Sequence, residues 1–137
     1  MTQPNSDHTL LLELIRSLDL AMLVETDDDY LRTISPAPTW LSRVLPGDPE
    51  QLRKDDACDF LANFLVDAHA FWQMARPGKL RSGFWIERDD NDREQVFEAS
   101  AFRLEAVPIL LVERAPNAYD DAQKVIQTGR EIITKLK

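Results

Sequence analysis

A thiol and a histidine are the residues of this chain with the most chemistry to offer, and each stands almost alone. Cys58 is the single cysteine, and His69 is one of two histidines among 137 residues. Cys–His couples serve as nucleophile and base in hydrolases, but no glycine frames Cys58 and no third group for a triad is evident. The other histidine, His8, lies near the start of the chain. Cys58 therefore reads as a quiet structural thiol, and no catalytic residue is assigned. Asp89-Asp90-Asn91-Asp92 superficially suggests calcium, yet an EF-hand loop needs Gly at its sixth position and Glu at its twelfth. Those positions hold Glu94 and Ser100, so the run reads as a solvated hairpin turn, as does Asp27-Asp28-Asp29. No glycine-rich loop is available to cradle a phosphate, and no metal site is expected.

Two further groups of side chains could act by binding rather than by chemistry. Phe64, Ala68, Trp72, Trp85 and Ser100 could line an apolar pocket between a helix and a sheet, suited to a small hydrophobic or aromatic ligand. Trp40 and Phe71 belong to the same aromatic set, and plain core packing is the competing use for all of them. At the other end of the chain, Tyr119, Ala122, Ile126, Gly129, Ile133 and Leu136 are spaced 3, 4, 3, 4 and 3. That is a heptad seam with these residues at a and d. Asn117 is placed to cap the helix, with Asp120 and Asp121 at its positive end and Lys135 and Lys137 at its negative end. Eighteen such residues make a helix of about 27 Å, long for a small sheet to cover, so the seam is expected to dimerise.

The elements that must position these residues follow from periodicity. Leu10, Leu11, Leu12, Leu14, Ile15 and Leu18 predict an amphipathic helix over residues 8–18. Ala21 to Val24 and Tyr30 to Ile34 predict two strands around a polar turn. Ser35 to Thr39 breaks the chain, a short helix runs from Trp40 to Leu45, and residues 46–55 read as a loop. Phe60, Leu61, Phe64, Leu65, Ala68, Phe71, Trp72 and Ala75 share one helical face, with Asp56 as the expected cap and Pro77-Gly78 as the stop. Beyond that point the period changes from 3.6 to 2. Residues 80–87, 95–104 and 109–112 predict an antiparallel meander, and residues 118–137 the final helix. The fold expected is α+β, a five-stranded antiparallel sheet with helices on one face, flanked by an N-terminal and a C-terminal helix. Residues 1–18, 19–114 and 115–137 are its N-terminal flank, domain and C-terminal helical linker.

Charge and composition narrow the partners. A net charge of −8 opposes binding to phosphate backbones, which rests on Lys and Arg, so no nucleic acid is expected. No apolar run reaches membrane-spanning length, and MTQPNSDH carries no basic n-region. A cytoplasmic location is expected, and a single cysteine suits a reducing compartment.

The order of two strands, a helical excursion containing one long helix, and three strands resembles the PAS fold over residues 19–114. Phe60-Leu61 through Phe71-Trp72, Leu80 to Trp85, Phe97 to Ala101, and Leu110 to Arg114 running into the last helix are similar to the N-terminal sensory region of bacterial histidine kinases and, next, of diguanylate cyclases. The resemblance implies a non-catalytic sensory and dimerisation module whose C-terminal helix passes a signal to a kinase or cyclase output domain outside this chain. A sensor of a diguanylate cyclase and a stand-alone small-molecule-binding protein are the alternatives. Flavin-binding relatives carry a reactive cysteine followed closely by Arg, Phe, Leu and Gln, whereas Cys58 precedes Asp59-Phe60-Leu61-Ala62. Haem-binding relatives hold iron through a histidine on the long middle helix, where His69 lies. No cofactor is assigned, and the partners implied are a second copy joined through the terminal helices and a small-molecule ligand.

Overall fold

The chain in a computed structural model forms a six-stranded, wholly antiparallel sheet, curled into a half-barrel around one long helix. The structure describes residues 10, 19–34 and 36–114. The strands are β1 (Leu20–Glu25), β2 (Tyr30–Thr33), β3 (Leu52–Arg53), β4 (Leu80–Arg88), β5 (Glu94–Leu104) and β6 (Val107–Arg114). They lie in the order β3-β2-β1-β6-β5-β4. Between β2 and β3 sits a single helical turn, α1 (Leu41–Val44). Between β3 and β4 come a 3-10 turn (Lys54–Asp56) and α2 (Asp59–Gln73).

The expected five-stranded α+β sheet with a helix at each end is thereby corrected. The sheet has six strands, the described chain is mostly β, and α2 is its only described helix of seven or more residues. The sixth strand falls inside the segment read as a loop. Two residues are too few to show a period, and what makes β3 is tertiary: Tyr30 pairs with Arg53 and Leu31 with Leu52. Leu52 is fully buried there. The segments expected to form the flanking helices, 8–18 and 118–137 with the seam from Tyr119 to Leu136, lie outside the described residues except for Leu10, which is helical.

Alternation along the strands builds the core. Ala21 and Leu23 of β1, Leu31 of β2, Leu110 and Val112 of β6, Phe97, Ala99 and Ala101 of β5 and Trp85 of β4 all face inward. Leu61, Phe64, Leu65, Ala68 and Trp72 of α2 pack against them. The two alanines of β5 leave room for α2 to approach the sheet closely. Trp72 closes the join by donating its indole N–H to the Phe102 carbonyl at 3.0 Å. Trp40 and Trp85 flank Phe97 at 5.4 and 5.6 Å between ring centroids.

Local chemistry sets the remaining boundaries. Cys58, not Asp56, occupies the N-cap of α2, and it makes no side-chain capping bond. Asp56 is consumed in the 3-10 turn. A β-bulge shifts the β4–β5 register between Arg81 and Phe84. Gly83 there has φ +80°, a conformation that suits glycine. The expected break over residues 105–108 is a two-residue turn instead. Glu105 and Ala106 have φ +48° and +70°, the signs of a type I′ hairpin that normally recruits Asn-Gly. Arg103 steadies it by donating from one nitrogen to the Ala106 carbonyl at 2.9 Å and from the other to the carbonyl of Trp72.

The two buried indoles differ in one respect that can be measured. Trp72 has a carbonyl acceptor, whereas the buried Trp85 N–H meets no oxygen or nitrogen acceptor and has only the weakly accepting Cys58 sulfur nearby. Both phenylalanine substitutions remove similar volume, but only Trp72→Phe removes an indole-to-carbonyl hydrogen bond. In urea melts Trp72→Phe should therefore destabilise the chain by about 1 kcal/mol more than Trp85→Phe.

Candidate functional site

Glu25 ends β1 just before the turn of aspartates, and it gathers a lysine ammonium and a histidine ring from distant parts of the chain. Lys54 donates its ammonium to Glu25 Oε2 at 2.6 Å, and His69 Nδ1 lies 2.8 Å from the same oxygen. A carboxylate of this kind only accepts, so Nδ1 carries a proton. His69 Nε2 faces Asp28 Oδ1 at 3.7 Å. The Lys54 and Glu25 side chains are 10% and 12% exposed, so their charges are largely removed from water and depend on each other.

The backbone around this trio is built to hold it. Asp27 Oδ1 accepts the N–H groups of Asp29 at 2.8 Å and Tyr30 at 2.9 Å, which shapes the β1–β2 turn. The Lys54 N–H donates to the Asp29 carbonyl at 2.9 Å, tying the 3-10 turn to that loop. His69 enters from the flank of the apolar stripe of α2. Between the three elements opens a cleft of about 200 Å³. Ala62, Leu65 and Val66 form its apolar wall, and Asp28, Asp29, Lys54, Asp55 and His69 its polar side. A second cleft, of about 270 Å³, lies beside the start of β1 and is lined by Asp19, Leu20 and Pro36 to Thr39.

The residues singled out in the sequence are placed differently from one another. Phe64, Ala68, Trp72 and Trp85 are buried together in the core. Ser100 alternates with Ala99 and Ala101 and lies on the opposite face of the sheet. His69 is on α2, but its ring meets carboxylates rather than a large apolar chamber, and 200 Å³ is below the usual range for ligand pockets. These surroundings do not fit haem. Cys58 and His69 have separate partners, so they do not form a couple. Burial pushes the Cys58 thiol up to about 11; the Leu61 backbone N–H opposes the shift and the Glu87 carboxylate adds to it. Glu25 carried no signal in the sequence, Asp28 only that of a polar turn, and Lys54 none. They stand 44, 41 and 15 positions from His69, at no spacing that a single element could reveal.

Two outcomes follow from these environments. Raising the thiol from 9.0 to about 11 lowers its thiolate fraction at neutral pH about a hundredfold. Iodoacetamide should accordingly label Cys58 about a hundred times more slowly in the folded chain than in urea, and the gap should close as pH rises towards 11. Glu25→Ala leaves the Lys54 ammonium buried without its counter-charge and should cost about 3 kcal/mol in chemical denaturation. Glu25→Leu combined with Lys54→Met should cost much less, because no charge is then stranded.

Among the described residues, no group of three or more His, Cys, Asp or Glu side chains is arranged to hold a metal ion, and none of the helices is long and apolar enough to cross a membrane. No protein-family model matches the chain, and no curated protein does so either.

Proposed function

We propose that this chain is a non-catalytic sensory and dimerisation module of a signalling protein, a reading in keeping with its resemblance to PAS-like sensors of histidine kinases. One arrangement carries the proposal. The first and last described strands, β1 and β6, are neighbours in the middle of the sheet, and their outer ends are joined through one carboxylate. Asp19 accepts the Trp40 indole N–H on Oδ1 at 2.7 Å and Arg114 Nε on Oδ2 at 2.9 Å. The Arg114 guanidinium also lies 5.8 Å from the centre of the Trp40 ring.

Trp40 reaches this junction from the core, where it packs on Phe97. A rearrangement of that core therefore acts on Asp19 and Arg114, the residues at which the two terminal segments meet the sheet. The heptad seam of residues 119–136 begins five residues beyond Arg114. In this reading the seam pairs two copies and carries the change onward to an output domain, a histidine kinase or a diguanylate cyclase.

Sedimentation of the full chain tests the proposal. A dimer should form at micromolar concentration and be weakened at least about tenfold by Ile126→Asp or Ile133→Asp. Trp40→Phe removes the indole donor to Asp19 and should shift the dimer constant by about threefold or more if the core is coupled to the seam. A chain that stays monomeric at about 100 µM would overturn dimerisation, and a Trp40→Phe dimer of unchanged affinity would overturn the relay.

A further inference from the structure

Three buried apolar residues stand outside the single core. Val24, Val96 and Ile109 are 9%, 7% and 3% exposed, yet they are not part of the inner cluster. Each alternates with inward residues along its strand, so each points to the outer face of the sheet. Ser100, 4% exposed, is there too. Register places Met22 beside Leu111, Leu111 beside Ser100, Val24 beside Ile109, and Ile109 beside Phe102. An apolar surface thus runs across β1, β6 and β5. A sheet face left to water would instead show polar alternation. Both described α-helices pack on the inner face, and the outer face is wet around this centre: towards β4, where Phe84 and Ile86 are 46% and 49% exposed, and at the β5–β6 turn, where Leu104 and Val107 are 53% and 42% exposed.

We infer that this outer face is the docking site for residues 11–18 of the same chain, seated as a helix through Leu11, Leu14, Ile15 and Leu18. Those four recur at i, i+3, i+4 and i+7, the stripe of a helix that covers an apolar surface. Leu10 is helical and 66% exposed. At about 100° per residue it falls about 90° away from the centre of that stripe, so the docked helix leaves it in water. Asp19 follows directly with φ +53°, the left-handed conformation in which helices end and chains turn back. Its carboxylate is fixed by Trp40 and Arg114, which sets where the segment leaves β1. From Leu11 to Leu18 a helix rises about 10 Å. That matches the distance across three strands at about 4.8 Å spacing, the width of the dry surface without β4.

Methionine oxidation in the full chain reads this out, because Met22 lies on the face and Met74, 61% exposed, serves as an internal standard. Under mild peroxide, Met22 should oxidise about tenfold more slowly than Met74. Leu14→Asp with Ile15→Asp should bring the two rates within about threefold, and Leu10→Asp should leave their ratio unchanged. A Met22 rate that ignores the double substitution would overturn the inference. So would protection of Met22 that fades on dilution, since a second copy would then be the occupant. Should the double variant fail to fold, Leu111→Lys probes the same contact from the sheet. It should speed amide exchange over residues 11–18 about tenfold while the β4–β5 amides keep their protection, and unchanged exchange over 11–18 would equally overturn it.

Discussion

Antiparallel pairing of β1 with β6 is the constraint on which the rest of the structure depends. Leu20 lies opposite Glu113 and Val24 opposite Ile109, so the start of the described domain is laid against its end. Leu23 and Leu110, directly paired, are both completely buried. This single ladder joins a two-strand unit, extended at its edge by β3, to a three-strand meander and makes one sheet of six. Without it, β1 and β2 would form a hairpin too small to persist in water. The meander alone would offer α2 only part of its bed. The pairing also closes a very long loop, whose entropy must be offset by contacts that form only once the loop is shut.

Its neighbours show how that cost is offset. The α2 helix lies over β4 and β5, and the 3-10 turn before it is tied to the β1–β2 loop by the Lys54 backbone and by the Lys54–Glu25 pair. The segment between β3 and β4 therefore bridges both halves of the sheet. The cleft at Glu25 opens where those halves are stitched together, which is why its polar groups come from three separate elements. A buried ammonium paired with one carboxylate contributes little net stability, but removing either partner alone is costly. Such a pair enforces one arrangement of the turn, the 3-10 segment and α2 more than it strengthens the fold.

Sequence reasoning succeeded where a period was long enough to count. The face of α2 from Leu61 to Trp72 spans many residues with one buried side, and a period of two marks β4 and β5 as strands, although β4 buries only Trp85 and β5 is buried on both faces. It failed where structure depends on partners far away. Leu52-Arg53 is a strand only because Tyr30 and Leu31 are beside it. Glu105-Ala106 forms a type I′ turn without the residues that advertise one, held instead by Arg103. The cleft was invisible for the same reason: Glu25, Lys54 and His69 meet through the fold and share no local spacing. Of the aromatic pocket set, Phe64, Ala68, Trp72 and Trp85 share the core, while Ser100 stands on the opposite face of the sheet. A period of two places it there, since adjacent residues of a strand point to opposite sides.

The same alternation gives the outer face its meaning. Along β5, Phe97, Ala99 and Ala101 meet the helix, so Val96, Glu98, Ser100 and Phe102 must look the other way. Glu98 and Glu113 sit directly opposite each other there, a like-charge pairing that weakens a ladder unless another group intervenes. The dry apolar centre of this surface is poorly matched to bulk water, while its two facing carboxylates need polar surroundings. The surface is better matched to an amphipathic cover, with apolar residues over Met22, Leu111 and Ile109 and a polar flank towards the glutamates. β6 takes part in both faces at once, through Leu110 and Val112 inward and Ile109 and Leu111 outward. A shift of the core and a shift of the cover thus converge on one strand, and that strand ends at Arg114, where the chain leaves the sheet.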